Sequence, residues 1–169
     1  MRTFGTAAAA LAAAIAGIVV PAAAQSGPSL HAVLASSDWL NGRLSESDVR
    51  GKVVLVDFYT FDCINCKDVE PTLRQLYKET ARRDLVIVSV HSPETPYERD
   101  RDHLKASMSE QGVAWPVVID NDFHVWNAYG VSAWPTQLIF DRHGVLRQTI
   151  VGEGQDDLVT TTVKSLISM

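Results

Sequence analysis

The chain has 169 residues, 46% of them hydrophobic and 21% charged, with a formal net charge of −5. That is long enough for one domain with its own core, and the acidic balance speaks against nucleic acid or an anionic membrane surface as partner. Two cysteines are too few for a disulfide-built scaffold.

Met1–Gln25 reads as a secretory signal. Arg2 is its only charge, an Ala-rich apolar region follows, and Ala22-Ala23-Ala24 offers a small-residue cleavage site. Cleavage after Ala24 is expected, giving a signal peptide over 1–24 and a domain over 25–169, of which 25–44 is an N-terminal extension. The apolar stretch from Phe4 to Val20 is short and Ala-rich for a membrane span, so an uncleaved anchor is the weaker alternative. Beyond it, Asn41-Gly42 marks a turn, and Trp39-Leu40 is expected to pack at a sheet edge. Ser45–Val49 suits one helical turn.

Val53–Phe58 is a short β-branched run of the kind buried on both faces of a sheet. A helix is expected from about Cys63 to Arg82, carrying Val69, Leu73, Leu76 and Tyr77 at helical spacing and kinked at Pro71. Leu85–Val90 reads as a second buried strand and Tyr97–Gln111 as one charged helix. Val117–Ile119 is a short strand, and Phe123–Tyr129 a short helix stopped by Gly130. Thr136–Phe140 and Val145–Val151 bracket Asp141-Arg142-His143-Gly144 as a hairpin. Gln155–Ile167 closes the chain as a helix, with Leu158, Val159, Val163, Leu166 and Ile167 on one stripe.

Between the first strand and the first long helix stands Cys63-Ile64-Asn65-Cys66, which holds both cysteines of the chain. Free amides at a helix N-terminus carry partial positive charge, which favours a thiolate on Cys63 and makes it the nucleophile. Cys66, one turn further, is placed to resolve a mixed disulfide. A structural staple closing so small a loop would restrain the unfolded chain little, so a redox pair is the better reading. Asp57 is a charged residue inside an apolar strand. Such an acid is costly to bury unless paired or protonated, and beneath a dithiol it is placed to exchange a proton with the resolving thiol.

These residues resemble the thioredoxin family: Val56-Asp57-Phe58 before the motif, Lys67 and Pro71 after it, and Val131-Ser132-Ala133-Trp134-Pro135-Thr136, which looks like that family's cis-proline loop. The extra helix and strand across Tyr97–Ile119 resemble the insertion of exported TlpA- and ResA-like thioredoxins. A closer likeness is to the thioredoxin-like domain of DipZ-type proteins, through Cys-Ile-Asn-Cys, Val90-His91-Ser92-Pro93-Glu94, Asp120-Asn121-Asp122, Trp126-Asn127-Ala128-Tyr129-Gly130 and Gly152-Glu153-Gly154. The resemblance implies an α/β, thioredoxin-like fold: a central mixed β-sheet flanked by helices, with a TlpA-like helix-strand insertion. It also implies that Trp134, Pro135, Ile64 and Asn65 meet the partner protein, and that Glu94 tunes the dithiol.

The sequence departs from the family pattern in three places. Phe61-Asp62 replaces the usual Trp before the first cysteine, and a carboxylate there opposes a thiolate on Cys63. Ile64-Asn65 is neither Gly-Pro nor Pro-His, which leaves the redox potential open. Trp134 is bulkier than the usual residue before the cis-proline. His91 reads as a loop histidine rather than a catalyst, Trp126 and Tyr129 as core aromatics, His31, His103, His124 and His143 as surface residues, and Pro116 as an ordinary trans proline.

The expected function is an exported, periplasmic thiol–disulfide oxidoreductase, acting as a reductase in cytochrome c or metal-site maturation. It needs no cofactor and no metal. Its partners would be protein thiols and disulfides, with room for a membrane electron donor. A monomer is expected. Two alternatives belong to other classes. In a peroxiredoxin-like peroxidase, Thr60-x-x-Cys63 supplies half the motif while Val56 stands where a proline is required. In a Cu(I) carrier, Cys63, Cys66 and His91 would bind the soft ion.

Overall fold

A computed structural model describes residues 28–169; the signal-peptide reading of 1–24 lies outside them. A short helix α1 (His31–Ala35) and a two-residue strand β1 (Trp39–Leu40) precede a one-turn helix α2 (Glu46–Val49) and the central strand β2 (Val53–Tyr59). Then come α3 (Ile64–Glu79), β3 (Leu85–His91), α4 (Arg101–Gln111), β4 (Val117–Ile119) and α5 (His124–Tyr129). The hairpin β5 (Thr136–Phe140) and β6 (Leu146–Val151) and the helix α6 (Asp156–Ser168) complete the chain. No helix among the described residues is long and apolar enough to cross a membrane.

The six strands form one mixed sheet in the order β1-β4-β3-β2-β5-β6. β2 runs parallel to β3 and antiparallel to β5; β4 is parallel to β3, and β1 caps it antiparallel at the expected edge. All seven residues of β2 are buried, because helices cover both faces and alternate side chains go to opposite layers. Val53, Leu55 and Tyr59 pack with Leu73 of α3, Leu104 and Met108 of α4, and Val159 and Val163 of α6. Val54, Val56 and Phe58 pack with Val33 of α1 and Val125 and Trp126 of α5.

Several boundaries differ from the sequence reading. The span from Tyr97 to Gln111 is a 3₁₀ turn (Pro96–Arg99) and a separate helix α4, because the Asp100 carboxylate caps α4 through the Asp102 and His103 amides. α3 ends at Glu79 rather than Arg82 and runs as one helix through Pro71. Leu158 is 40% exposed, off the buried Val159–Val163 stripe of α6. His91 is no loop residue: it ends β3 and is fully buried. Trp126 is core as expected, and Trp134-Pro135 is the cis peptide bond among the described residues, with Pro116 trans.

Candidate active site

The end of β2 and the start of α3 set the dithiol. After Tyr59 the chain makes a tight turn, closed by the Cys63 amide on the Thr60 carbonyl at 3.3 Å. Cys63 then takes the N-cap position of α3 with an extended backbone, and its Sγ accepts the Cys66 amide at 3.3 Å. This is where a sulfur gains most from the free amides and the dipole of a helix. Cys63 is half-buried and Cys66 buried, both as free thiols. Burial pushes the Cys66 thiol far up, and its hydrogen bond with Cys63 and the Asp57 charge push in the same direction. One sulfur thus stands half-open at the helix N-terminus while the other is buried and held as thiol, the asymmetry that a nucleophile and a resolving cysteine require. Asp62, the carboxylate beside Cys63, is paired with Lys67 Nζ at 3.2 Å.

Asp57 lies under α3, and the sheet register explains its surroundings. It is directly opposite Ser89 on β3 and Gln137 on β5, so all three side chains emerge on one face. Ser89 Oγ donates to Oδ2 at 3.0 Å and Gln137 Nε2 to Oδ1 at 3.0 Å, while Trp115 Nε1 donates to Ser89 Oγ at 2.8 Å. Burial raises the Asp57 carboxyl to about 6, against those two hydrogen bonds. Near neutrality it can take up or release a proton, as a thiol's acceptor must.

Glu94, nominated from the sequence, is exposed. Its backbone amide, not its carboxylate, enters the structure, donating to Glu98 Oε2 at 2.8 Å. The acid coupled to the active-site turn is Glu98, which is buried. It accepts Thr60 Oγ1 at 2.5 Å, the Asp62 amide at 3.3 Å and the Thr95 amide at 2.7 Å. Burial opposes its charge, yet these bonds hold its carboxyl below the ordinary value. The insertion is thereby tied to the turn that presents Cys63. His91 lies on the other side of Thr60, with Nε2 3.3 Å from Oγ1 and the ring stacked on Phe61 at 5.5 Å. Burial lowers it to about 4.

Beyond the Phe58–Thr136 pair, the cis Trp134-Pro135 bond leads into β5 at the same sheet end as the dithiol turn. Pro135 is buried and its carbonyl holds the Gly152 amide at 2.9 Å. Trp134 is half-buried and packs on Trp126 at 4.4 Å. Ile64 is 74% exposed, and Asn65 is half-buried. The sequence reading missed Glu98 and a second buried acid, Glu70 on α3. The Thr95-x-x-Glu98 spacing of a capping box was a signal for the first.

Residues 28–149 match the AhpC/TSA family. The chain is 30% identical over 134 residues to protein DipZ of Mycobacterium tuberculosis, covering 77% of this chain and 19% of that protein. It is 27% identical over 115 residues to the thiol-disulfide oxidoreductase YkuV of Bacillus subtilis, covering 68% of this chain and 77% of that protein. The fold is similar to a thiol-disulfide isomerase of Corynebacterium glutamicum, with a TM-score of 0.72 at 24% identity over 79% of this chain and 93% of that one. The chain spans only about an eighth to a fifth of the first curated relatives it matches.

Proposed function

The chain belongs to the AhpC/TSA family and has a thioredoxin-like fold, and we propose that it is an exported thiol–disulfide oxidoreductase that reduces disulfides of partner proteins. The observation that carries this is the dithiol: Cys63 as the half-open N-cap of α3, Cys66 buried behind it, and Asp57 below. Cys63 thiolate attacks a partner disulfide, forming a mixed disulfide and expelling one partner thiol. Cys66 then attacks Cys63 Sγ, giving up its proton to Asp57. The partner leaves reduced, and Cys63–Cys66 is oxidised.

In this reading the partner's backbone lies against the Trp134-Pro135 loop by strand-like pairing, with Ile64 and Asn65 alongside. The signal-like segment 1–24 supports export to the periplasm. Clients awaiting haem or copper, and a membrane donor that re-reduces the pair, complete the proposal. Two contacts weigh against the alternatives. Thr60 of Thr-x-x-Cys commits its hydroxyl to Glu98 rather than to Cys63, and His91 is enclosed between Phe61 and Tyr59 rather than turned to the thiols.

The test is the reduction potential of the Cys63–Cys66 pair in a dithiothreitol buffer. A value near the thioredoxin end, about −270 mV, is expected, and one near about −120 mV would make the protein an oxidant. Insulin reduction that survives Cys63→Ser would refute either direction.

A further inference from the structure

The interior side of the dithiol holds a second acid that the reaction above does not use. Glu70 follows Cys66 by four residues on α3, so the two side chains share one helix face, and that face lies on the sheet. Glu70 is 4% exposed. Its Oε2 meets Arg74 Nη1 at 3.2 Å, and the same nitrogen donates to the Gln111 carbonyl at 2.6 Å. Its Oε1 is buried and accepts no hydrogen bond among the described residues. Tyr59 Oη is likewise buried without a partner there, and Tyr59 projects to the same sheet face as Asp57, two residues away. A buried carboxylate with one oxygen unpaired is costly, and a merely structural Glu70–Arg74 pair would not need to lie over the dithiol floor.

We propose that Glu70 is a second acceptor for the Cys66 proton and the group that passes it on to solvent. This rests on the oxidoreductase reading above. In the resolving step the Cys66–Cys63 bond forms and the bond from Cys63 to the partner sulfur breaks. The partner sulfur leaves with the electron pair as thiolate, and the Cys66 proton goes to a carboxylate. The dithiol is oxidised by the partner disulfide, so no further reagent is needed. Asp57 and Glu70 are equally enclosed, at 3% and 4% exposure, but both oxygens of Asp57 are held, by Ser89 and Gln137. Glu70 has one buried oxygen without a partner among the described residues and, on its other oxygen, the half-buried Arg74, which reaches the protein surface.

The titratable and charged groups facing Glu70 are Asp57 and Tyr59 from β2 and Lys67 and Arg74 from its own helix, with Cys66 one turn before it by spacing and α4 giving the Gln111 carbonyl to Arg74. Burial, and then the Asp57 charge, raise the Glu70 carboxyl to about 7, against Arg74 and Lys67. A proton received there at neutral pH is held loosely enough to be handed on.

The first test needs no variant. Carboxyl carbon NMR of the ¹³C-labelled protein follows Glu70 from pH 4 to 9 in the oxidised and reduced states. With Cys66 held as thiol, the charge that reduction brings is that of the Cys63 thiolate, and a negative sulfur at that end of the helix disfavours a negative carboxylate, so the Glu70 midpoint should lie higher in the reduced protein, by about tenfold in proton affinity or one pH unit. Midpoints agreeing within about twofold overturn the proposal. The second test follows the release of thionitrobenzoate from its mixed disulfide with Cys63, which isolates resolution by Cys66. Release should slow by about tenfold at pH 7 in Glu70→Gln, with its pH profile moved relative to wild type. Superimposable profiles overturn the proposal too. A protein that passes both tests but cannot reduce insulin contradicts the oxidoreductase reading, not the role of Glu70.

Discussion

Asp57→Asn should stabilise the protein while slowing it. The Asp57 carboxyl rises from an ordinary 3.8 to about 6 because burial outweighs its two hydrogen bonds. A carboxyl with its folded value above its unfolded value binds the proton more tightly in the fold. The fold is therefore favoured at low pH and loses stability as pH rises from about 3.8 to about 6. The full loss is ~3 kcal/mol above that window and about 0.5 kcal/mol at pH 4. Asn removes the charge and can keep the network: Ser89 still has an oxygen to donate to, and Gln137 can turn its unpartnered Oε1 towards the new amide. Urea unfolding of the reduced protein at pH 8 and pH 4 measures this. The stability gain of Asp57→Asn over wild type should be larger at pH 8 by ~2.5 kcal/mol. At a slope of about 2 kcal/mol per M, that moves the midpoint difference by roughly 1.2 M. A gain equal at both pH values, or larger at pH 4, refutes the argument that burial governs this carboxyl.

Cys66→Ser should trap the partner on Cys63 as a mixed disulfide visible on a non-reducing gel, whereas Cys63→Ser should trap none; equal trapping by both would reverse the assigned roles. Glu98→Ala leaves the Thr60 hydroxyl and the Glu94, Thr95 and Asp62 amides without their acceptor, which should cost about 3 kcal/mol in denaturant unfolding. Glu94→Ala, which keeps its backbone amide, should lie within about 0.5 kcal/mol of wild type. His91 should titrate in proton NMR near 4, because burial disfavours its charge, and a midpoint near 6.5 would mean the ring is solvated.

Most of the scaffold could be read from local pattern. The β-branched run of β2, the two cysteines at a strand-to-helix junction and the Trp134-Pro135-Thr136 loop each carry their signal within a few residues. The acids were harder, because what matters about them is tertiary. Glu94 and Glu98 lie in one polar loop and differ only in that Glu98, as the third residue of its 3₁₀ turn, reaches inward to Thr60. Glu70 sits inside the stripe formed by Cys66, Val69, Leu73 and Leu76, so its spacing was a readable sign of burial, although a charged residue adds nothing to an apolar pattern. His91 followed an apolar run, and strand β3 is buried along its whole length, which draws in the polar residue at its end as well.

The site sets reactivity against stability through titrations of opposite sign. Asp57 and Glu70, with raised carboxyls, make the fold weaker as pH rises through about 6 and about 7. His91, held neutral down to about 4, does the reverse: the unfolded chain binds its proton from about 6.5 downward, so the fold loses stability as pH falls from there to about 4. The two effects oppose each other across mildly acidic pH, so the wild-type stability curve there should be flatter than either effect alone would make it. The variants separate them. Asp57→Asn and Glu70→Gln each remove one of the two carboxyls that oppose the His91 loss, so stability should rise less on acidification from pH 6.5 to 4 than in wild type. His91→Phe removes that loss and should make stability rise on acidification over the same range. A His91→Phe curve parallel to wild type would mean that the ring, although buried, is not held neutral by the fold.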